Sequence, residues 1–280
     1  MTLHMRENQA VAAPLPGNVP RARGTLDLTT KQRGDRSAID RLRTSGCLRA
    51  LFSRRTKAVE AIVINTSGGL TGGDSLSLCG AAGVGSQLSL TTQAAERAYR
   101  ASSDVARVET RLEAGAASVL HWLPQELILF EGARLRRRLR VDLAADARLL
   151  LVEPVIFGRT AMGERLRDVA FSDRIAVWRA GAPLYLDGLD LHGDLETGMA
   201  RPALGGGAGA MASLVYVAPD AESHLAPLRA FMPDTGGVSL MRDDLLVVRL
   251  LASDSLNLRR SLLPVLDRLS RDTLPISWRL

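Results

Sequence analysis

Three short segments that resemble one another recur along the chain at nearly constant spacing. Each joins a turn of small residues to an apolar run, and their first residues, Gly85, Ala117 and Ala147, are 32 and 30 positions apart. A β unit of this length cannot bury its apolar face alone, so successive units must stack on one another. The spacing favours a β-solenoid. A sandwich of antiparallel hairpins has strands of similar length and stays open as the alternative.

Alternation of apolar and polar residues predicts a mainly β chain, because residues two apart share one face of a strand. Helical periodicity is nearly absent before residue 215. The predicted strands are 58–65, 87–92, 107–112, 119–123, 135–143, 148–152, 174–178 and 184–191.

The pattern changes after the glycine-rich stretch 205–209, which predicts a loop. Beyond it we predict strands at 212–217, 238–240 and 245–250, and helices at 220–231 and 255–269. Pro264 predicts a kink in the second helix or its true start. Residues 21–280 are therefore expected to form one domain, with a β body at about 21–205 and an α+β end at about 211–280. Residues 1–20 lack periodicity and predict a mobile tail.

Each predicted helix carries an apolar stripe. The stripe residues are Ala221, Leu225, Leu228 and Phe231 in the first helix and Leu262, Leu266 and Leu269 in the second. We expect these stripes to pack on the β body. A surface for a partner protein is the alternative for some of these side chains.

An arginine-rich run lies in the predicted strand 135–143. Alternation places Leu135, Leu139, Val141 and Leu143 on one face and Arg136, Arg138 and Arg140 on the other. Arg137 falls on the apolar face, so either it is paired there or the predicted facing is off by one residue.

Composition excludes several classes of protein. Hydrophobic residues make up 46% of the chain and charged residues 24%, which is typical of a folded globular protein. No apolar run reaches the roughly 20 residues that cross a bilayer, and the N-terminus lacks the apolar stretch of a secretory signal. We therefore expect a cytoplasmic location, with the two cysteines, Cys47 and Cys79, reduced. The net charge of +6 is compatible with nucleic-acid binding, but aromatic residues are only 4%, too few for stacking on single strands.

Two glycine clusters resemble nucleotide-binding motifs without matching them. In 68–75, Asp74 stands where a phosphate loop needs lysine, and a carboxylate there repels phosphate. The cluster 205–210 has neither an apolar strand before it nor a helix after it, as a dinucleotide site requires. The chain also lacks the G-x-S-x-G, H-E-x-x-H and C-x-x-C patterns. We predict no enzymatic activity.

Five acidic residues lie in apolar or glycine-rich surroundings. They are Asp74, Glu126, Glu131, Glu153 and Glu164. A buried carboxylate is costly unless it is paired, hydrated or bound to a cation. Pairing with one of the many arginines is one explanation, and a hydrated interior path or a surface that handles cations is the other.

Several motifs, in order from about residue 23 to the end, resemble those of the urease accessory protein family UreD, also called UreH. Segment 67–74 resembles its glycine-rich loop, and 91–100 resembles its Thr-Thr segment ending in Tyr-Arg. Residues 122–126, 130–133, 158–164 and 275–278 resemble its W-L-P-Q-[ED], F-x-G-A, G-R-x-x-x-G-E and C-terminal elements. The family-motif residues are Gly68, Gly69, Gly72, Gly73, Thr91, Thr92, Tyr99, Arg100, Trp122, Pro124, Gln125, Gly132, Gly158, Arg159 and Gly163.

The resemblance implies a non-enzymatic maturation scaffold with a right-handed β-helical fold and a small helical portion. Members bind UreF, which recruits the GTPase UreG, and dock on apo-urease, whose active site then receives two nickel ions. The resemblance also implies a nickel channel, so we expect Asp74, Glu126, Glu131, Glu153 and Glu164 to include channel-lining groups. Nickel is then cargo in transit, and we expect no tightly bound cofactor.

Two other functions stay open as alternatives. A hydrolytic enzyme would use the neighbourhood of Asp74 and Glu126, although no nucleophile or base is apparent. A nucleic-acid-binding protein would use the arginines of 134–140, and its affinity would then depend steeply on salt.

Overall fold

The computed structural model describes residues 20–53, 57–159 and 162–279. The predicted tail, residues 1–20, lies outside the described residues except for Pro20. Strands dominate the described ranges. Their bounds are β1 Arg23–Arg33, β2 Arg36–Gly46, β3 Leu48–Ser53, β4 Val59–Asn65, β5 Ser75–Ala82, β6 Gln87–Thr92, β7 Glu96–Ala98, β8 Ala106–Ala114, β9 Val119–Leu123, β10 Leu127–Leu129, β11 Arg134–Leu143, β12 Arg148–Phe157, β13 Val169–Arg179, β14 Ala182–Gly193, β15 Ala210–Val217, β16 Gly236–Arg242 and β17 Leu245–Ala252.

The strands form two sheets that pack face to face. The first sheet has the order β14-β13-β11-β8-β5-β1-β2, and the second has the order β16-β17-β15-β12-β9-β6-β4-β3. From β4 to β13 the long strands alternate between the sheets, and neighbours pair in parallel within each. This alternation makes a β-solenoid of about four turns. The solenoid prediction is confirmed, and the body is not a sandwich of hairpins.

The three repeated segments occupy equivalent places in successive coils. Gln87, Val119 and Arg148 begin β6, β9 and β12 and are aligned across the second sheet. The small-residue turns before these strands bond to one another, as in Val119 N–H to Ser86 O at 3.0 Å and Arg148 N–H to Ser118 O at 2.9 Å. Small residues allow this close stacking, because every coil must repeat the path of its neighbour.

Antiparallel strands complete both ends of the solenoid. β2 and β3 pair with β1 and β4 at one end, and β14 and β15 pair with β13 and β12 at the other. Strands β1 to β3 are not among the strands that alternation predicts. β2 has no fully buried residue, so the alternation that marks a half-buried strand is missing from its sequence.

The arginine-rich strand β11 alternates as predicted. Leu135, Leu139, Val141 and Leu143 are buried, whereas Arg136, Arg138 and Arg140 are exposed. Arg137 points into the interior with an acidic partner, Asp173. The predicted facing is therefore confirmed, and Arg137 is the paired exception.

The helices are α1 Leu195–Met199, α2 Ala221–Ala230 and α3 Ser255–Ser270, followed by a 3₁₀ turn, Ile276–Arg279. Of these, α2 and α3 cover the outer face of the second sheet, whereas Leu195 of α1 belongs to the apolar core between the sheets. A second apolar cluster lies between α2, α3 and this sheet, and Leu228, Leu262 and Leu266 belong to it. The predicted α+β end thus packs on the β body.

Two details of the helical layer differ from the prediction. The periodicity places Phe231 on the buried stripe of the first helix, but α2 ends at Ala230 and Phe231 is 44% exposed. Pro264 does not mark the start of α3, which begins at Ser255 after the N-cap Asp254. The Asp254 carboxylate accepts a 2.8 Å bond from Asn257 N–H, which fixes the start of the helix well before the proline.

Candidate functional site

The family-motif residues gather at one edge of the solenoid. Four connections lead there from the second sheet to the first: 66–74, 93–105, 124–133 and 158–168. They bond to one another in sequence, as Leu70 N–H donates to Arg97 O, Phe130 N–H to Ala98 O and Gly158 N–H to Leu129 O. We call this region the motif edge. Motifs that are about 30 residues apart in sequence are neighbours here because each coil repeats the path of the previous one.

The glycine loop packs against the second connection. A Cβ on Gly69 would lie 2.4 Å from the Tyr99 ring, and a Cβ on Gly72 would lie 2.0 Å from Ser103 O. Asp74 closes the loop by accepting 2.8 Å bonds from the N–H groups of Ala22 and Thr71. These contacts leave no room for a side chain at either glycine, so the glycines have a packing role.

We expect Gly72→Ala to destabilise the fold by about 3 kcal/mol or more, because the new Cβ meets rigid backbone oxygens and the loop must move. Gly68→Ala is the matched control. Gly68 has φ +80°, and a Cβ added there would meet nothing within 4 Å, so this change should cost only about 1 kcal/mol of left-handed strain. Chemical denaturation measures both. Equal losses in the two variants would contradict the packing role.

A second contact group at the motif edge contains the later family motifs. The Tyr99 and Phe130 ring centroids lie 4.8 Å apart, and the Arg159 guanidinium lies over Phe130 at 4.7 Å. Glu164 accepts bonds from Arg159 N–H at 3.0 Å and Arg159 Nε at 3.1 Å. Its other oxygen accepts from Glu131 N–H at 3.2 Å. Although burial acts in the opposite direction, these bonds and the Arg159 charge hold the pKa of Glu164 below its ordinary value.

Arg259 joins the motif edge to the helical layer. Its Nη1 donates to Glu126 Oε1 at 2.7 Å and to Gln125 Oε1 at 2.9 Å, and its Nη2 donates to Trp278 O at 2.8 Å. Nearby, Thr91 Oγ1 donates to Leu123 O at 2.7 Å. The W-L-P-Q-E motif is thus held to α3 and to the C-terminal 3₁₀ turn.

A cavity of about 240 Å³ lies between the two sheets. Its rim includes the exposed or half-buried residues Gly68, Gln93, Ala94 and Arg97 of the motif edge. Its walls come from both sheets and include Leu78, Thr110, Trp122, Pro124 and Leu139. The cavity therefore begins among the family motifs and continues into the solenoid.

Charged groups meet at the inner end of this cavity. In β12, Leu149, Leu151, Val155 and Phe157 face the solenoid interior, so alternation places Glu153 there too. By the same rule Arg137 of β11 and Asp173 of β13 face inward, and the two are aligned across the first sheet. Glu153 and Arg137 line the cavity. Three charged side chains thus lie side by side in a core whose other inward-facing residues are mostly apolar.

These three groups are tightly paired. Arg137 donates from Nε to Asp173 Oδ1 at 3.0 Å and from Nη2 to Asp173 Oδ2 at 2.6 Å. Its Nη1 lies 2.5 Å from Glu153 Oε2, and Trp122 Nε1 donates to Glu153 Oε1 at 2.6 Å. Burial raises the pKa of Glu153 to about 7, against the lowering effect of Arg137. The carboxyl therefore gains a proton far more readily than an exposed glutamate.

The structure separates the five acids predicted from sequence. Glu153 lines the cavity, whereas Asp74, Glu126, Glu131 and Glu164 are not among its lining residues. Asp74 and Glu131 accept backbone N–H bonds, Glu131 from Arg167 and Asp168. Glu126 pairs with Arg259 and Glu164 with Arg159. A role for these four in a channel stays a prediction.

Sequence reasoning missed two acidic groups of the interior. Glu96 lines the cavity, and burial raises its pKa although Asn65 Nδ2 donates to it at 3.0 Å. Glu96 begins β7, which has only three residues, too few for alternation to indicate the facing of its side chain. Asp173 lies in β13 between the inward-facing Phe171 and Ile175. Alternation would have found it, but the predicted strand begins one residue later, at 174.

The described ranges contain neither a metal-binding cluster nor a membrane-spanning helix. No group of three or more His, Cys, Asp or Glu side chains there is arranged to hold a metal ion. In the same ranges, no helix combines the length and the apolar character needed to cross a bilayer.

Comparison with known proteins gives a consistent result. The model of the family described as UreD urease accessory protein matches residues 22–278. The urease accessory protein UreD of Roseobacter denitrificans is 51% identical over 266 residues, which cover 95% of this chain and 97% of that protein. Its counterpart in Ruegeria pomeroyi is 48% identical over 255 residues, 90% and 99% of the two chains. The urease accessory protein UreD of Agrobacterium fabrum is 40% identical over 282 residues, which cover 98% of this chain and 99% of that protein.

Proposed function

The chain belongs to the UreD family of urease accessory proteins and so has a role in urease maturation, and from that premise we propose how it acts. It binds UreF in the cytoplasm, recruits UreG through UreF, and docks this assembly on apo-urease. Ni²⁺ then passes through the solenoid interior toward the urease active site. The chain itself catalyses no reaction and holds no permanent metal.

The cavity between the two sheets carries this proposal. It has a rim at the motif edge and a charged inner end at Glu153, so a cation that enters at Gln93 and Arg97 reaches a carboxylate inside the fold. Glu96 supplies a second carboxylate near the rim. A passage of this kind needs neither a moving domain nor a bound cofactor.

The ligand chemistry supports transit over storage. Nickel binds most tightly to nitrogen and sulfur ligands, and a cage of histidine or cysteine would retain it. Conduction requires attraction that is weak and spread over several sites. Glu96 and Glu153 are separate carboxylates at the two ends of the cavity, which fits that requirement. The other four predicted acids contribute indirectly, by holding the motif edge in shape: Asp74, Glu126, Glu131 and Glu164.

We place the UreF contact on the helical layer. Phe231 and Leu256 are 44% and 56% exposed there, although both are apolar and lie at the ends of α2 and α3. Large exposed apolar side chains commonly mark surfaces that bind other proteins. This placement agrees with the alternative role suggested by the amphipathic helices.

Co-purification tests the proposed assembly. The tagged full-length chain, expressed with UreF, UreG and the urease subunits, should retain all of them, and omission of UreF should remove UreG. The double variant Phe231→Asp/Leu256→Asp should lose UreF, because two charges would be buried unpaired at the contact. Leu51→Asp is the control, since Leu51 is 58% exposed on β3 at the other end of the sheet. Retention of UreF by the double variant, or its loss from Leu51→Asp, would contradict the placement.

A further inference from the structure

The outer face of the first sheet carries arginines on three neighbouring strands. In β11, Arg136, Arg138 and Arg140 are exposed and point away from the core. Outward-facing arginines of β8 and β13 are aligned with them across the sheet: Arg107 with Arg136, Arg111 with Arg140, and Arg174 with Arg138. We call these six side chains the arginine face. Each of its three cross-strand pairs places one guanidinium beside another.

The arginine face is unfavourable for the isolated chain. Like charges directly opposite each other on neighbouring strands destabilise a sheet, whereas opposite charges stabilise it. Four of the six arginines have an acidic neighbour: Arg140 with Asp142 at 2.8 Å, Arg174 with Asp190 at 2.5 Å, Arg107 with Asp104 at 3.5 Å, and Arg111 with Glu109 at 3.8 Å. Arg136 and Arg138 have no hydrogen bond or ion pair with any residue of the described ranges. Two exposed guanidinium groups are therefore free to bind an external anion.

An acidic row limits the arginine face at one end. Glu113 of β8 and Asp142 of β11 are aligned with each other on the same outer face, next to the level of Arg111 and Arg140. Strands lie about 4.8 Å apart and side chains on one face repeat about every 7 Å, so the six arginines cover only about 10 Å by 14 Å. A nucleic-acid backbone that continued along the strands would meet the two carboxylates and be repelled. The size of the patch therefore fits a small group of acidic side chains better.

Carboxylates match the chemistry of this face. A guanidinium binds a carboxylate through two parallel hydrogen bonds, and a carboxylate between two aligned arginines can bond to both. Successive levels of the face are about 7 Å apart, which is the spacing of every second side chain along an extended strand. Side chains four apart on a helix are spaced nearly as widely. A protein surface with a short row of Asp or Glu side chains is thus the complementary partner.

We propose that the arginine face docks an acidic surface of apo-urease. The helical layer, where we place the UreF contact, covers the outer face of the second sheet and so lies on the opposite side of the solenoid. UreG joins the assembly through UreF. Among the three proposed partners, apo-urease is therefore the one left to occupy the arginine face. This inference rests on the proposed assembly and adds the surface and the chemistry of its contact with urease.

Co-purification of the tagged full-length chain with UreF and the urease subunits tests this docking. Arg136→Glu/Arg138→Glu should keep UreF and lower the affinity for urease about tenfold or more, because the two attractive charges become repulsive. Arg136→Lys/Arg138→Lys keeps both charges and should retain more urease than the glutamate variant. Arg33→Glu/Arg36→Glu is the matched control, since it makes the same charge change at exposed positions in the β1–β2 hairpin. It should retain urease like the wild type.

Three results would overturn the docking. They are wild-type retention of urease by the folded Arg136→Glu/Arg138→Glu variant, loss of UreF together with urease from that variant, and release of urease from the wild type by nuclease. Circular dichroism establishes folding. If the double variant does not fold, Arg136→Glu alone decides, because it turns the like-charged pair with Arg107 into an oppositely charged pair and should be at least as stable as the wild type. It should still weaken urease binding several-fold.

Poly-L-glutamate distinguishes failure of the arginine face from failure of the proposed assembly. The wild-type chain should bind it, with a Kd that rises about tenfold or more between about 50 and 500 mM NaCl because salt screens exposed charges. Arg136→Glu/Arg138→Glu should bind it about tenfold or more weakly, and Arg33→Glu/Arg36→Glu should match the wild type. Equal binding by all three chains refutes the arginine face, whether or not urease is retained. The expected pattern with poly-L-glutamate, but no urease on the wild type, refutes the assembly instead.

Discussion

Leu78→Trp is expected to stop nickel delivery while leaving the protein assembly intact. Urease matured with this variant should contain as little nickel as urease from a host that lacks the chain. Leu78 is buried in β5 and lines the large cavity. The larger indole would occupy space that is empty in the wild type, so the passage would close without a change in any charge or any exposed residue.

The position of Leu78 makes this a specific block. Leu78 is aligned with Thr110 of β8, which in turn is aligned with Leu139 of β11. The three side chains face the interior side by side, and Arg137, two residues before Leu139 on β11, is the next inward-facing residue of that strand. An indole at Leu78 therefore fills part of the cavity beside Arg137 and Glu153 and leaves both of these side chains unchanged. Filling a preformed cavity also avoids most of the strain that a larger side chain causes in a packed core.

Ser77→Trp is the matched control for the cavity block. Ser77 precedes Leu78 in the same strand but faces solvent, so the same indole leaves the cavity open. Nickel content is measured by elemental analysis of purified urease, and co-purified UreF and apo-urease report the assembly. Wild-type nickel content with folded Leu78→Trp would refute passage through the cavity. Loss of UreF from this variant would show that the substitution had disturbed the assembly instead.

The sequence predicted the fold further than it predicted the site. The repeats at Gly85, Ala117 and Ala147 indicated the solenoid because each coil must place a small turn and an apolar strand at the same point. Alternation then gave the facing of β11, including the inward direction of Arg137. Such arguments succeed in regular strands, since the side-chain direction there follows from position alone.

The acids of the connections could not be sorted in this way. Asp74, Glu126, Glu131 and Glu164 all lie outside the strands, where facing depends on contacts with the next coil. Asp74, for example, bonds to Ala22, which is 52 residues earlier. Glu153 lies in a strand, but both faces of β12 are covered, so apolar residues occupy both faces and the sequence of β12 does not alternate. The side-chain direction of Glu153 becomes clear only from the structure, which shows which neighbours belong to the inner apolar cluster and which to the outer one.

The C-terminal 3₁₀ turn is expected to contribute strongly to stability. Trp278 is fully buried, and its Nε1 donates to Leu123 O at 2.9 Å. The Arg259 guanidinium lies 5.0 Å from the Trp278 ring centroid and also binds Glu126 and Gln125. One aromatic side chain therefore joins the end of β9, the motif edge and α3. Its removal affects three elements together.

Trp278→Ala should destabilise the protein by about 3–5 kcal/mol, since a large buried ring leaves a cavity and Leu123 O keeps only the hydrogen bond from Thr91 Oγ1. Ile276→Ala is the control, because Ile276 belongs to the same turn and is 43% exposed; it should cost well under half as much. Chemical denaturation measures both, and reduced amounts of folded Trp278→Ala in cells should lower urease activation in proportion. A loss in Trp278→Ala no greater than that in Ile276→Ala would mean that the turn is only loosely attached. Arg259 would then hold the W-L-P-Q-E motif without help from the C-terminus.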